Sequence, residues 1–175
     1  YRPGGNQAPL PPFCSSDEAA QANFSRRFNS DEAETTEFGV KARGENYSAN
    51  VTYFDVDWDG IIIQVTPGCG WRYNFNGGKA ETSGWEVDFT YAINDELSVD
   101  FAGSSMTAET SIDITSLGAS AGDRLPNTVE SQWNLGLVYD TTIFSYPSYA
   151  RLDVNYYGDS FNTFAENPAS SSPDY

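Results

Sequence analysis

Carboxylate side chains are the residues of this sequence with the clearest capacity for chemistry, because histidine is absent and only two cysteines are present. The absence of histidine excludes Ser-His-Asp and Cys-His nucleophile systems and histidine-ligated metal sites. Paired carboxylates could serve as the acid and base of a glycosidase, and the residues that invite this reading are Glu86, Asp88, Asp100 and Asp153. Each alternates with apolar residues, which a sheet with one polar face explains better. We therefore expect no enzyme activity and no cofactor.

A second acidic motif has the form of the opening of a calcium-binding loop. Asp55, Asp57 and Asp59 precede Gly60 in the pattern D-x-D-x-D-G. An EF-hand loop also needs a glutamate at its twelfth position, and this position is Thr66 here. Because the surrounding residues have the pattern of a strand, we expect no metal site.

The charge balance restricts the possible partners. The chain has 9 Lys and Arg against 25 Asp and Glu, a net charge of −16. Phosphate binding needs clustered Lys and Arg, so a nucleic-acid partner is excluded. The excess of acidic groups is compatible with cation binding, but a solvated acidic surface is the simpler explanation. The abundance of aromatic residues, at 15%, favours strands.

Period-two alternation is the strongest structural signal in the chain. From Trp133 to Tyr139, for example, every second residue is apolar or aromatic. The pattern predicts all-β structure, with the end of one strand at 1–5, six further strands, and a loop at 170–175. The six strands are expected near 36–44, 47–58, 79–92, 97–107, 131–140 and 148–158.

One of these segments changes its apolar face part-way along. Tyr47 to Tyr53 place their apolar residues on one face, and Phe54 to Trp58 continue on the other. A β-bulge would have this effect, and so would a strand that rises above a bilayer after Tyr53. The sequence does not decide between the two.

Short and long connections alternate between the predicted strands. Short turns are expected at Glu45–Asn46, at Asn94–Glu96 and around Pro147. Long links are expected at 7–35, 59–76, 108–130 and from 159 onward. A bacterial outer-membrane barrel has short turns on its periplasmic side and long loops on its outer side, so the sequence predicts an antiparallel up-and-down transmembrane β-barrel, present as an incomplete arc of about seven strands.

A soluble β-sandwich also alternates apolar and polar residues, but two details favour the membrane. First, aromatic residues end the apolar faces about six residues apart, or about 20 Å, close to the separation of the aromatic girdles. Second, the opposite faces carry charges of both signs, as a polar barrel interior would. The residues predicted to face the lumen are Glu37, Lys41, Arg43, Glu86, Asp88, Asp100, Asn134, Arg151, Asp153 and Asn155.

The two cysteines fall in long links on the same, outer side. Cys14 follows Pro11-Pro12-Phe13, and Cys69 lies in the second long link. We predict a disulfide between neighbouring extracellular loops, the alternative being two free thiols.

Six local motifs resemble those of TonB-dependent outer-membrane receptors, and they occur in the family's order along almost the whole chain. Tyr1–Gly5 resembles the "FRPGG" element and Glu37–Lys41 the "YELGxK" strand. The others are Val51–Ile61, Asn76–Glu86, Arg124–Asn127 ("LPN") and Tyr156–Ser160 ("YxGDS"). The resemblance implies a 22-stranded barrel filled by an N-terminal plug. It also implies that residues 1–175 are part of the barrel domain, with the plug domain and the terminal strands outside this stretch.

The resemblance further implies a function and its partners. We expect a receptor in the Gram-negative outer membrane, in contact with its lipid, its own plug, the TonB complex and an extracellular solute. An iron–siderophore complex is the first candidate solute and a carbohydrate the second. Residues near the outer rim that could touch the solute are Arg2, Trp71, Arg72 and Tyr73. The alternatives are a smaller passive porin or structural barrel, and a secreted β-sandwich binding module.

Overall fold

The computed structural model describes residues 2–164 and 171–174, and its main element is a six-stranded antiparallel sheet in chain order. The strands of this sheet are β3 (Glu32–Arg43), β4 (Tyr47–Val65), β5 (Tyr73–Ala92), β6 (Leu97–Thr110), β7 (Ser131–Ile143) and β8 (Tyr146–Tyr157). The smaller elements are β1 (Gly5–Asn6), helix α1 (Glu18–Asn23), β2 (Arg27–Phe28), β9 (Ser160–Phe161), β10 (Ser171–Ser172), and 3₁₀ turns at Pro12–Cys14 and Thr115–Leu117. The predicted all-β, up-and-down fold is confirmed, as an incomplete arc of a barrel.

The two faces of this sheet differ in character along their whole width. The pairing registers align one apolar row across all six strands, formed by Ala42, Ala49, Phe89, Phe101, Leu135 and Val154. Because side chains alternate along a strand, Trp85, Leu137 and Leu152 project from the same face, where all three are exposed. We call this the outer face and its opposite the inner face. An exposed apolar face of this width matches a surface solvated by lipid.

The three short turns are staggered in one direction. Counted from the row that contains Ala42, β3 continues for one residue before the first turn and ends at Arg43. In the same count β5 continues for three residues and ends at Ala92, and β7 continues for eight and ends at Ile143. Strands in a barrel tilt against its axis, so turns at one membrane height must shift along successive strands. The stagger is therefore that of a barrel wall.

The third short turn lies two residues earlier than the sequence suggested. Phe144 and Ser145 form the turn, both with positive φ (50° and 71°), as two-residue hairpin loops of type I′ require. Pro147 is instead the second residue of β8, opposite Thr142. Proline has no N–H to donate to a strand ladder, so its type alone favours a turn over the strand position that it occupies. The prediction of a turn around Pro147 was wrong, because the two-residue turn closes before this proline is reached.

The change of apolar face after Tyr53 does not come from a bulge. Pairing of β4 with β5 is uninterrupted from Tyr47 to Trp58, and the register shifts occur only between Trp58 and Ile62. The strand therefore continues above the apolar band, where its environment changes. Gly60 at this later irregularity has φ +64, a conformation that suits glycine. The predicted long link at 59–76 was wrong, since the hairpin continues to Val65 and resumes at Tyr73.

Residues 2–6 do not add a seventh strand to the sheet. Gly5 and Asn6 pair with Phe28 and Arg27, and Arg2 forms a bridge with Asp31. The start of the chain thus folds back on the end of the first long link, because an ion pair and a short ladder hold it there. Of the predicted features at the two ends, Tyr1, Ser170 and Tyr175 lie outside the described residues.

Above the apolar band, the outer face becomes acidic. The registers place one exposed carboxylate from each of four neighbouring strands, β3 to β6, in a single row: Glu34, Asp57, Glu81 and Glu109. Asp55 and Asp59 share this face within β4, so these residues of the D-x-D-x-D-G segment belong to a strand and not to the turn of an EF-hand loop. No described helix is long and apolar enough to traverse a membrane.

Candidate functional site: inner wall and cap

All ten residues predicted to face the lumen lie on the inner face of the sheet. One inner row passes through Lys41, Asn50, Asp88, Asn134 and Asn155. The next contains Arg43, Asp100 and Asp153. We call this surface the inner wall. Its side chains also surround a shallow cavity of about 360 Å³ whose polar lining residues are Glu86, Asp88, Ser104, Gln132, Asn134, Asn155 and Tyr157.

Arg151 links two carboxylates of the inner wall across a glycine. Its Nη2 lies 2.7 Å from Asp153 Oδ1, and its Nη1 lies 3.5 Å from Asp100 Oδ2. Gly136 lies between these two aspartates in the pairing register. A Cβ atom at Gly136 would stand 2.7 Å from Arg151 Nη2. The absence of a side chain there leaves room for the guanidinium beside Gly136, from where it reaches both partners.

The rest of the inner wall is joined more loosely. Asn134 Nδ2 donates to Asn155 Oδ1 at 2.8 Å, and Asn50 Nδ2 donates to Asp88 Oδ2 at 3.4 Å. Within residues 2–164 and 171–174, Lys41 and Arg43 form no ion pair within 4.0 Å. Two cations of the wall are thus available to a partner on the inner side.

The first long link folds over the end of the β4–β5 hairpin, and a disulfide joins them. We call residues 7–31, together with the hairpin beyond Trp58, the cap. Cys14 and Cys69 are bonded, with their Cα atoms 5.3 Å apart. Asp17 adds a second link: its Oδ1 accepts from the N–H of Ala20, which caps helix α1, and its Oδ2 accepts from the N–H of Cys69 at 2.7 Å.

Side chains that bond to the backbone fix the rest of the cap. Gln7 accepts from the N–H of Asn74 at 2.9 Å and donates to its carbonyl at 2.8 Å, as a neighbouring strand would. Asn76 accepts from the N–H of Asn29 at 2.6 Å and donates to the carbonyls of Asn29 and Gly60. The first link is therefore attached to the hairpin at three levels, counting the disulfide.

Two small apolar clusters lie beside the upper hairpin. The first centres on Cys14, Ala20 and Tyr73, with Trp71 and Phe24 packed against it. The second centres on Ile63, Ile114 and Ala119, with Ile61 and Phe164 packed against it, and Val65 and Phe75 pack against both clusters. A Cβ atom at Gly78 would touch Ile61, Ile63 and Ile114, which places the second cluster on the inner side of the hairpin.

Three of the four residues predicted to contact a solute lie together at the hairpin tip, and Arg2 lies apart from them beside Asp31. Tyr73 is 3% exposed, and its ring meets that of Phe24 edge-on at 5.5 Å. Burial, reinforced by the charge of Asp17, raises the pKa of Tyr73. Trp71 is half-buried against the first cluster, and Arg72 is exposed at the hairpin tip.

Arg2, the fourth predicted contact, is engaged by the buried Asp31. Its Nε and Nη2 both lie 2.6 Å from Asp31 Oδ2, its backbone N–H donates to Oδ1, and its guanidinium lies 5.2 Å from the Trp58 ring. Burial opposes ionisation of Asp31, but the hydrogen bonds from Arg2 and from Trp58 outweigh it, so the pKa of Asp31 lies below its ordinary value.

Arg124 is a structural residue that the sequence reasoning did not single out. It is buried, donates to the carbonyls of Thr128 and Asp159 at 2.8 and 2.6 Å, and lies over the ring of Phe161. It thereby ties the β6–β7 link to the chain that follows β8. Its position in Arg124–Asn127, as an isolated cation beside Leu-Pro, was the available signal. The described residues contain no group of three or more acidic or cysteine side chains arranged to hold a metal ion.

Comparison with known proteins decides the family. The family model described as TonB dependent receptor-like, beta-barrel matches residues 1–175. The chain belongs to this family of TonB-dependent receptor barrels. The predicted resemblance is confirmed, and the family is one of receptors and transporters of the Gram-negative outer membrane. None of the curated proteins compared by sequence matches this TonB-dependent receptor chain.

Solved structures of TonB-dependent receptors share its fold. The ferric yersiniabactin uptake receptor FyuA from Yersinia pestis superposes with a TM-score of 0.70 and 17% identity, over 85% of this chain and 22% of its own. BauA, the ferric preacinetobactin receptor from Acinetobacter baumannii, superposes with a TM-score of 0.68 and 14% identity. This match covers 88% of this chain and 23% of the BauA chain. The FrpB iron transporter from Neisseria meningitidis superposes with a TM-score of 0.64 and 16% identity. This match covers 85% of this chain and 23% of the FrpB chain. This TonB-dependent receptor barrel segment thus spans less than a quarter of the length of these relatives.

Proposed function

We propose that the full protein is an outer-membrane receptor that binds a scarce solute outside the cell and imports it with energy delivered through the TonB complex. The observation that carries this proposal is the family match over residues 1–175. The sheet supports it with an apolar outer face for lipid and a charged inner face for an aqueous lumen.

An iron–siderophore complex is the first candidate solute and a carbohydrate the second. Two of the structures with the same fold are described as receptors for ferric siderophores, ferric yersiniabactin and ferric preacinetobactin. The outer row of carboxylates would not attract an anionic complex by charge alone. We therefore assign recognition to local contacts in the cap.

Trp71 and Arg72 are the residues of the cap that we propose to contact the solute, because Arg72 is exposed at the tip beside the half-buried Trp71. Arg2 and Tyr73 would serve by holding the cap in shape. Substituting Trp71 and Arg72 together by alanine should weaken binding in the full receptor. Unchanged affinity would remove both from the proposal.

The inner wall is the surface that we propose to face the plug. Lys41 and Arg43 project inward, and the polar cavity beside Asp88 and Asn134 opens on the same face. Carboxylates of a plug domain would find two accessible cations there. The TonB complex itself would act through the plug and not through these strands.

Uptake by cells with and without TonB tests the proposed function. Cells lacking the receptor gene, cells lacking TonB and parent cells would be compared under iron limitation for uptake of ⁵⁵Fe supplied as the cell's own secreted chelate, and for uptake of labelled oligosaccharides. Receptor-dependent uptake of either solute that is lost without TonB supports the proposal. Receptor-dependent uptake that persists without TonB would identify a passive porin instead.

The secreted β-sandwich fits the structure poorly. It needs a second sheet packed on the apolar face, and the described residues carry none there, since the outer face is exposed. Extraction of the full protein without detergent would nevertheless revive this alternative.

A further inference from the structure

A cavity of about 450 Å³ lies in the cap between three segments that are distant in sequence. Ala22 of helix α1 forms one wall, and Val65, Pro67 and Tyr73 of the hairpin tip form the second. The third wall is Leu117, in the 3₁₀ turn of the β6–β7 link. Its volume lies within the range of about 300–1,000 Å³ that is usual for small-molecule sites.

Among residues 2–164 and 171–174, the lining of this cavity contains no charged side chain, although the chain carries 25 acidic and 9 basic residues. Its polar groups are an amide and hydroxyls, supplied by Gln64, Thr66, Thr115 and Ser116. A few polar groups on a mainly apolar surface give orientation to a ligand without requiring it to be charged. An ionised group would instead be desolvated there without a counter-charge, which is unfavourable.

The walls of the cavity are fixed from both sides. Helix α1 is held to the hairpin tip by the Cys14–Cys69 disulfide and by Asp17. The 3₁₀ turn is held beside Ile114, whose cluster shares Val65 with the cluster around Cys14. All three walls belong to barrel strands and their links, so the cavity exists without any contribution from a plug.

We propose that this cavity is a binding subsite for an uncharged, mainly apolar organic group, such as an aryl ring with an amide substituent, carried by the solute that the receptor takes up. This assignment rests on the proposed function, because it takes the bound group to be part of the solute that the receptor imports. It adds that the charged or metal-bearing part of the solute binds elsewhere, because the subsite accepts only a neutral portion.

Fluorine NMR of the full-length receptor in lipid nanodiscs tests the subsite. The probes are 4-fluoroacetanilide, which is uncharged, and 4-fluorobenzoate, which has similar size and a negative charge. Saturable line broadening of 4-fluoroacetanilide beyond that with empty nanodiscs is expected, with 4-fluorobenzoate at least tenfold weaker. Equal binding of both probes, or no saturable binding of either, would overturn the proposal.

A matched pair of substitutions locates the binding. Leu117 and Ile112 are apolar residues of the same link with similar exposure, 39% and 43%, but only Leu117 lines the cavity. Leu117→Arg should weaken 4-fluoroacetanilide binding at least tenfold, whereas Ile112→Arg should leave it within twofold. Equal effects of the two variants would place the probe elsewhere and refute the subsite. If Leu117→Arg fails to assemble, Thr66→Glu introduces a charge from the hairpin side and is expected to give the same loss.

The uptake assay separates failure of the subsite from failure of the proposed function. TonB-dependent uptake together with probe binding that Leu117→Arg leaves intact would refute the subsite alone. Selective probe binding that Leu117→Arg abolishes, in a receptor whose uptake is independent of TonB, would sustain the subsite and refute the proposed function.

Discussion

In the wall, neighbouring strands are paired continuously, with nine consecutive residue pairs even between β6 and β7, whereas the cap is attached by a few specific links. These links are one disulfide, the Arg2–Asp31 ion pair, and side chains such as Gln7 that bond to the backbone of the hairpin. The stability of the wall comes from many backbone hydrogen bonds between its strands, whereas that of the cap depends on a few individual residues. One substitution should therefore disturb the cap locally, and should disturb the wall only where it changes the face presented to lipid.

The largest effect is expected from removing the disulfide. Cys14 and Cys69 are 55 residues apart in sequence, for which the chain-entropy account gives about 4 kcal/mol. In the double variant Cys14→Ser/Cys69→Ser, hydrogen exchange should accelerate in residues 7–31 and at the hairpin tip and remain unchanged in β7 and β8. Acceleration of equal size throughout the sheet would show that wall and cap are a single cooperative unit. In the native protein, thiol titration without reductant should find neither cysteine reactive.

The next effect concerns the lipid-facing side of the wall. Leu135→Arg places a cation on the outer face, at a cost of about 2–4 kcal/mol near the middle of a bilayer. Asn134→Arg is the control, since Asn134 is adjacent and lies on the inner face. Denaturant unfolding of the full receptor in liposomes should show the loss for Leu135→Arg and less than about 1 kcal/mol for the control. A larger loss of stability for Asn134→Arg than for Leu135→Arg would show that the lipid-facing and lumen-facing sides have been assigned the wrong way round.

A smaller, pH-dependent effect is expected at the base of the cap. The pKa of Asp31 is lower folded than its ordinary value of 3.8, so the ionised form stabilises the fold. This contribution is complete above that ordinary value, and it is lost as the pH falls through the folded pKa. Proteolysis at pH 7 and pH 3 should therefore show cleavage near residues 2–6 increasing on acidification. Asp31→Asn should be cleaved readily at both values, and Asp95→Asn, in an exposed turn, should behave as the parent.

The smallest effect is expected from the carboxylate row on the outer face. Glu81 lies between Asp57 and Glu109, and like charges directly opposite on neighbouring strands destabilise a sheet. Glu81→Gln should raise the free energy of unfolding by a few tenths of a kcal/mol at low salt, and the gain should vanish at 1 M salt. Glu86→Gln, on the inner face of the same strand, is the control. A gain that persists at high salt would point to a cause other than repulsion.

The wall was predictable because alternation with period two is a local property of the sequence. Leu135 and Asn134 reveal opposite faces by their types alone, and the strand order follows from short turns. The turn at Phe144–Ser145 was missed because proline is a stronger turn signal than Phe-Ser, while the pairing of Pro147 with Thr142 is set by the register of the whole hairpin.

The cap was less predictable because its contacts join residues far apart in the chain. Nothing local to Gln7 indicates that it bonds to Asn74, and Asp31 shows no sign of burial until Arg2 and Trp58 surround it. The extension of β4 and β5 beyond Trp58 was hidden by Gly60 and Gly77, which resemble loop residues in sequence. The disulfide between Cys14 and Cys69 could be predicted only because the alternation of short and long connections places both cysteine-containing links on the outer side of the barrel.

The hairpin of β4 and β5 has a mechanical consequence for the molecule. Its strands, of 19 and 20 residues, run from the inner row of Asn50 and Asp88 to the tip that carries Cys69. The two strands form one continuous hairpin. Its lower part is paired with neighbouring strands of the wall, and its upper part carries the cap and any solute bound there. The pairing of β4 with β5 is irregular only between Trp58 and Ile62, so we expect any bending of the cap relative to the wall to occur there.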